Sequence, residues 1–128
     1  MFNIDLKSRM PIYEQLVNHI RMLIIQNVLE TDEKLPSVRS LAQELTINPN
    51  TIQKAYRELE NEGYIYSVPG KGNFVSDMKH AATPDKIETL KENLEITARE
   101  LIYLDVPVEE IKDLVEKAKD DVGEEWDG

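Results

Sequence analysis

Cysteine is absent from the 128 residues, which excludes disulfide bridges, thiol nucleophiles and cysteine-built zinc sites. Histidine is nearly absent too: His19 and His80 are the two present, far apart in sequence. His19 falls between core positions of a helical pattern, where a structural or surface role is the ordinary one. No metal or cofactor constellation is visible. Long hydrophobic runs are also missing, since no segment reaches the roughly 18 uninterrupted apolar residues of a bilayer span. The opening MFNIDLKSRM lacks the apolar centre of a signal peptide, so the sequence predicts a cytoplasmic chain with no membrane partner. Glycine and proline are few, at 5 and 6, against 41% hydrophobic and 31% charged residues. That is the balance of a folded globular protein and not of a disordered or fibrous one. Carboxylates are plentiful, but they lie on solvated helical faces without a histidine partner, a phosphate loop or a ligand cluster, and an enzyme is not expected.

Positive charge is the other scarce commodity, with a formal net charge of -10. Its distribution matters more than its sum. Residues 1–80 carry 9 Lys and Arg against 10 Asp and Glu, while residues 81–128 carry 6 against 15. The acid is therefore in the tail. A near-neutral first part can still attract phosphates if its cations share one face.

Phe2, Ile4 and Leu6 alternate with polar residues, which predicts a short strand ahead of Pro11. From Pro11 onward the period becomes helical, with Ile12, Leu16, Ile20, Leu23 and Ile24 on one side and an end expected between Asn27 and Leu29. After the polar ETDEK stretch, Ser37 is the N-cap of a second helix over Val38 to Leu45, whose inner side is Val38, Leu41, Ala42 and Leu45. Thr46-Ile47-Asn48 is a brief turn, and Asn48 with Pro49 opens a third helix. Two helices so joined are a helix-turn-helix candidate. The third helix buries Ile52, Ala55, Tyr56 and Leu59, displays Asn50, Thr51, Gln53, Lys54 and Arg57, and stops at Gly63. Tyr64 to Val68 and Asn73 to Ser76 read as strands flanking Pro69-Gly70-Lys71-Gly72, which makes a wing. The fold class expected is mainly α (α+β): a winged helix-turn-helix over 1–78, a linker at 79–83, a two-helix tail over 84–122 and a frayed end at 123–128.

A winged helix lays the second helix of its helix-turn-helix in the major groove of double-stranded DNA. The outward residues suit that task. Asn and Gln amides pair with adenine, a Thr hydroxyl serves phosphate or base, and Lys and Arg meet phosphate or guanine. Glu58, Glu60 and Glu62 are confined to the far half of the third helix. At the wing, Lys71 between Gly70 and Gly72 allows main-chain amides and an ammonium to approach a phosphate. Tyr13, Tyr56, Tyr64 and Tyr66 are expected to pack around the core and wing instead of stacking on bases.

In the tail, Thr83-Pro84 starts a long helix in which Ile87, Leu90, Leu94, Leu101 and Leu104 follow a three-four spacing, interrupted at Thr97. Such a seam asks for a second copy, giving a homodimer on an inverted-repeat operator; burial against the last helix is the alternative. Val108, Ile111, Val115, Ala118 and Val122 form that last helix, which can fold back. Two short helices enclose too little volume for a ligand cavity of about 300–1,000 Å³, so no effector pocket is expected within 83–128, and the small-molecule effector, if one exists, is unknown.

The run LPSVRSLAQELTINPNTIQKAYRELENEGYIYSVPGKGNFV resembles the DNA-binding domain of GntR-type regulators, and PIYEQL, NPNT and QKAY resemble their YtrA-type subfamily. The similarity covers roughly residues 9–76. It implies DNA contacts at Ser37, Arg39, Asn48, Asn50, Thr51, Gln53, Gly70, Lys71 and Gly72, a tail that serves dimerisation, and repression of a transporter operon. Many members carry arginine where this chain has Pro49 and Gln53, so their base preference does not transfer. A winged-helix module for protein contacts is the rival reading; it would favour acidic or apolar residues at Asn50, Thr51, Gln53 and Lys54.

Overall fold

The computed structural model describes residues 4–122, apart from the side chains of residues 80 and 81. Among the described residues, 4–6 do not form the expected strand. Ile4 packs on the core, but Leu6 is 76% exposed in a turn, and Phe2 lies outside the described residues. One side chain explains the difference. Gln15 accepts from the Asp5 amide at 2.8 Å and donates to the Asp5 and Met10 carbonyls at 2.9 Å each. Main-chain groups that a strand would have paired in a ladder are satisfied locally instead.

Helix α1 (Ile12–Ile25) follows Pro11 and buries Leu16, Val17, Ile20 and Ile24. It ends earlier than its apolar pattern suggests because Asn27 takes a left-handed φ of 58°. The Val28 and Leu29 amides then turn back onto the Leu23 carbonyl at 2.9 and 3.1 Å, which satisfies a helix-end acceptor. Helix α2 (Val38–Leu45) and helix α3 (Pro49–Asn61) have the bounds and caps that their sequences imply. Between them Thr46 adopts φ 55° and the Ile47 amide donates to Ala42, so the direction reverses in a few residues. The core is one cluster in which α1 and α2 both pack on α3, with Leu16, Ile20, Leu41, Ile52 and Leu59 fully enclosed.

Strands β1 (Ile65–Val68) and β2 (Gly72–Val75) pair antiparallel, with Ile65 opposite Val75 and Val68 opposite Gly72. The ETDEK stretch is more than a loop. Lys34 bridges to Phe74, and the Asp32 and Leu35 amides donate to Val75 and Asn73 at 2.8 and 2.9 Å, while the Val75 amide donates to Glu33 at 3.0 Å. A short third strand segment thus lines the wing.

The expected linker holds a single helical turn, α4 (Met78–Ala81), before α5 (Pro84–Tyr103), which is capped by Thr83, and α6 (Val108–Asp121). The internal burial considered for the seam does not occur: no residue of α5 or α6 is buried. Ala98, Leu101, Val106 and Ile111 are only half-covered near the turn between the two helices. Val122 nonetheless comes back beside Ile24, Ile25 and Ala82, so the tail runs out along α5 and returns along α6 to the edge of the first part. The frayed end expected at 123–128 lies outside the described residues.

Candidate nucleic-acid interface

The site begins with two caps. Ser37 Oγ accepts from the Ser40 amide at 3.0 Å, and Asn48 Oδ1 accepts from the Asn50 amide at 2.8 Å. Each cap uses an acceptor and leaves a donor, the Ser37 hydroxyl proton or the Asn48 amide group, directed by the helix start. The caps fix where Arg39, Asn50 and Thr51 leave the main chain. Burial of Ile52, Ala55, Tyr56 and Leu59 then sets the rotation of α3, which leaves Asn50, Gln53, Lys54 and Arg57 exposed and Thr51 half-exposed on the opposite side. A buried anchor reinforces this orientation. The Tyr56 hydroxyl donates to the Pro36 carbonyl at 2.7 Å, tying α3 to the residue just before α2, and burial pushes the Tyr56 phenol well above its ordinary range.

The cations Arg39, Lys54, Arg57 and Lys71 are all exposed. Among the described residues, the side chains of Arg39, Arg57 and Lys71 form no ion pair or hydrogen bond. Lys54 Nζ lies 3.8 Å above the centroid of Tyr13. That contact is invisible in the sequence, because the partners are on different helices and only the packing of α1 on α3 brings them together. The carboxylates of α3 are engaged on other sides. Glu62 pairs with Arg21 at 2.6 Å, and Glu60 accepts from Ser67 at 3.1 Å. Glu58 shares a groove with Glu14 and Glu62 beside α1.

At the wing tip, Gly70 and Gly72 have φ of 75° and 122°, conformations that L side chains rarely adopt, and the Lys71 amide closes the turn onto Val68 at 2.9 Å. Tyr66 stacks on Phe74 with centroids 5.6 Å apart and donates to Asp32 at 2.7 Å. That hydrogen bond to a carboxylate holds the Tyr66 phenol above its usual range. Tyr56, Tyr64 and Tyr66 serve core and wing, and Tyr13 packs against the core while also carrying Lys54 over its ring.

The expected dimer seam is the second feature. Ile87, Leu90, Leu94 and Leu104 are 46%, 52%, 56% and 63% exposed, with Leu101 half-covered. Ile96 and Tyr103, absent from the seam pattern, add exposed apolar surface on the other side of α5. A cleft of about 350 Å³ lies where the tail meets the first part, bounded by Ile24, Ile25, Tyr64, Met78, Ala82 and Val122 among others. Only Val122 of these lies within 83–128. Among the described residues no group of three or more His, Asp or Glu side chains is arranged to hold a metal ion. No helix there is long and apolar enough to cross a membrane.

Known proteins share this arrangement. The family model described as "Bacterial regulatory proteins, gntR family" matches residues 12–75. The HTH-type transcriptional repressor YtrA of Bacillus subtilis is 36% identical over 123 residues, covering 95% of each chain. A crystal structure described as a transcriptional antiterminator from Listeria monocytogenes superposes with a TM-score of 0.86 at 38% identity, covering 98% of this chain and 95% of that one. The DNA-binding domain of AraR in complex with operator ORX1 superposes with a TM-score of 0.54 at 30% identity, covering 59% of this chain and 96% of that one.

Proposed function

This chain belongs to the GntR family of bacterial regulatory proteins, and from that premise we propose that it represses transcription by binding an inverted-repeat operator as a homodimer. The family is one of DNA-binding transcription regulators, not of enzymes. The observation that carries the proposal is the side of α3 opposite its buried residues, where Asn50, Gln53, Lys54 and Arg57 are exposed and Thr51 is half-exposed, with Arg39 exposed on α2 and Lys71 exposed at the wing tip. Amides and a hydroxyl read base edges; the surrounding cations hold phosphates. The same residues argue against a protein-contact module, whose partner-facing side would be apolar or acidic.

In the working complex, Gln53 and Asn50 read bases, and Ser37, Asn48, Thr51, Arg39, Lys54 and Arg57 hold backbone. Gly70, Lys71 and Gly72 engage the neighbouring groove. Ile87, Leu90, Leu94, Leu101 and Leu104 close the dimer through a two-fold interface. The functional division follows the same lines, with a DNA-reading part over 1–78, a joint at 79–83 and a dimerising tail over 84–122. Such a protein works in the cytoplasm, on the chromosome. Selection of bound duplexes from a random pool, followed by footprinting on genomic DNA, tests the proposal. The expected result is an inverted repeat overlapping a promoter, with a transporter operon as the target that the family resemblance implies. A pool that enriches no duplex motif would overturn it.

A further inference from the structure

One cation outside the face described above is held against the wing by main-chain pairing. Lys34 forms the bridge to Phe74 that makes the third strand segment, so its position is fixed by the sheet and not by loop conformation. Its side chain is exposed and, among the described residues, has no ion pair or hydrogen bond. Its stem runs across Gly72. A Cβ at position 72 would stand 3.1 Å from Lys34 Cε and 3.9 Å from Nζ, the first tighter than ordinary contact. Gly72 therefore does two things: it adopts the φ of 122° that ends the turn, and it leaves room for the lysine to reach the wing tip beside Lys71.

We propose that Lys34 is a phosphate-holding residue, the second cation of the wing. It rests on the reading of this chain as a DNA binder and adds to that reading a contact from the segment before α2. No carboxylate of the described residues pairs with it: the Asp32 carboxylate is turned to the Tyr66 hydroxyl at 2.7 Å and the Glu33 carboxylate to the Glu30 amide at 3.4 Å. Lys34 and Lys71 put two exposed ammonium groups on one wing in a protein of net charge -10, and an anion that approaches the wing is attracted by both. A polynucleotide backbone, with closely spaced phosphates on either side of the groove that a wing enters, is that anion.

The test uses the full chain on the selected duplex and on a scrambled duplex of equal length, titrated across a salt series. Lys34→Met keeps the stem over Gly72 and removes the charge; Lys34→Arg keeps both. Lys34→Met is expected to weaken both duplexes alike and to lower the slope of log affinity against log salt by about 0.9 per bound copy, with unchanged thermal melting. The affinity deficit then grows by about threefold per bound copy as salt falls from about 200 to about 50 mM. Lys34→Arg is expected to restore the slope. If the unmodified chain selects no duplex, the reading of the protein as a DNA binder fails. If it binds normally and Lys34→Met keeps the wild-type slope, the Lys34 contact is wrong and its role is packing alone. Should Lys34→Met melt early, Lys34→Gln is measured on the same series under the same criterion.

Discussion

At the scale of single residues, reading and holding separate by what they lose when removed. Gln53→Ala deletes an amide with no partner among the described residues, so it is expected to relax preference at one base pair at a cost of about 1–3 kcal/mol. Lys71→Ala is expected to weaken matched and scrambled DNA equally and to flatten the salt dependence. Binding constants for a set of single-base operator variants check this, and an unchanged ranking with Gln53→Ala would remove Gln53 from the readers. Tyr56 is a residue of stability. Its phenol stays protonated in the fold above the ordinary value of 10.0 because burial disfavours the anion, while in the unfolded chain it ionises from about 10 upward. The unfolded state then holds fewer protons, so the stability that this phenol contributes is complete below about pH 10 and is lost as pH rises beyond it. Tyr56→Phe is expected to cost about 1–3 kcal/mol at neutral pH, leaving the Pro36 carbonyl without its donor, and to make the alkaline decline shallower. Denaturant unfolding of both proteins from pH 7 to 11 measures both effects, and parallel pH profiles would show that Tyr56 does not carry the alkaline decline.

Among the elements, α2 and α3 were legible because everything that defines them is local: a capping side chain, a proline or apolar residue after it, and a burial period that one helix face satisfies. The hairpin was legible for the same reason, since Gly70 and Gly72 mark a turn that other residues enter only with strain. What the sequence hid was pairing between distant segments. The third strand segment is a matter of main-chain bonds from 32–35 to β2, which the ETDEK side chains do not advertise. The false N-terminal strand had the right alternation but lost its backbone groups to Gln15. Lys54 over Tyr13 required α1 to be docked on α3 before it existed. Ser37 shows how one residue can serve an element and a site. Ser37→Ala is expected to cost about 0.5–2 kcal/mol through loss of the cap. Ser37→Asp keeps the cap and places a carboxylate toward phosphate, so it is expected to retain stability yet weaken DNA binding. Melting and titration of the two variants separate the roles; an Asp variant that binds as well as the parent would show that Ser37 only caps.

For the whole molecule, the division of charge and apolar surface forces an argument about number. The tail has a net charge of -9 over residues 81–128 and a row of large side chains on a helix of 20 residues that no described part of the chain buries. Each leucine moved from water into an interface contributes about 1.5–3 kcal/mol, which is ample to outweigh repulsion between acidic flanks that salt screens. In the proposed dimer a second copy supplies a matching row, and the two-fold axis relating the copies would set the spacing of two wings on DNA. Half-sites about 10 bp apart, or a multiple, follow, and the acidic outer faces keep the tails away from the duplex. Leu94→Asp/Leu101→Asp tests this without disturbing the reading part, because α5 contributes nothing to the buried core. Light scattering is expected to show a monomer where the parent is a dimer, and titration is expected to show one half-site bound as before while the tight binding of the inverted repeat is lost. The melting of the core, followed by the Tyr56 environment, is expected to stay near that of the parent. A doubly substituted chain that remains dimeric, or that still binds the repeat as tightly as the parent, would place the interface elsewhere, with the Ile96 and Tyr103 side of α5 next to be substituted.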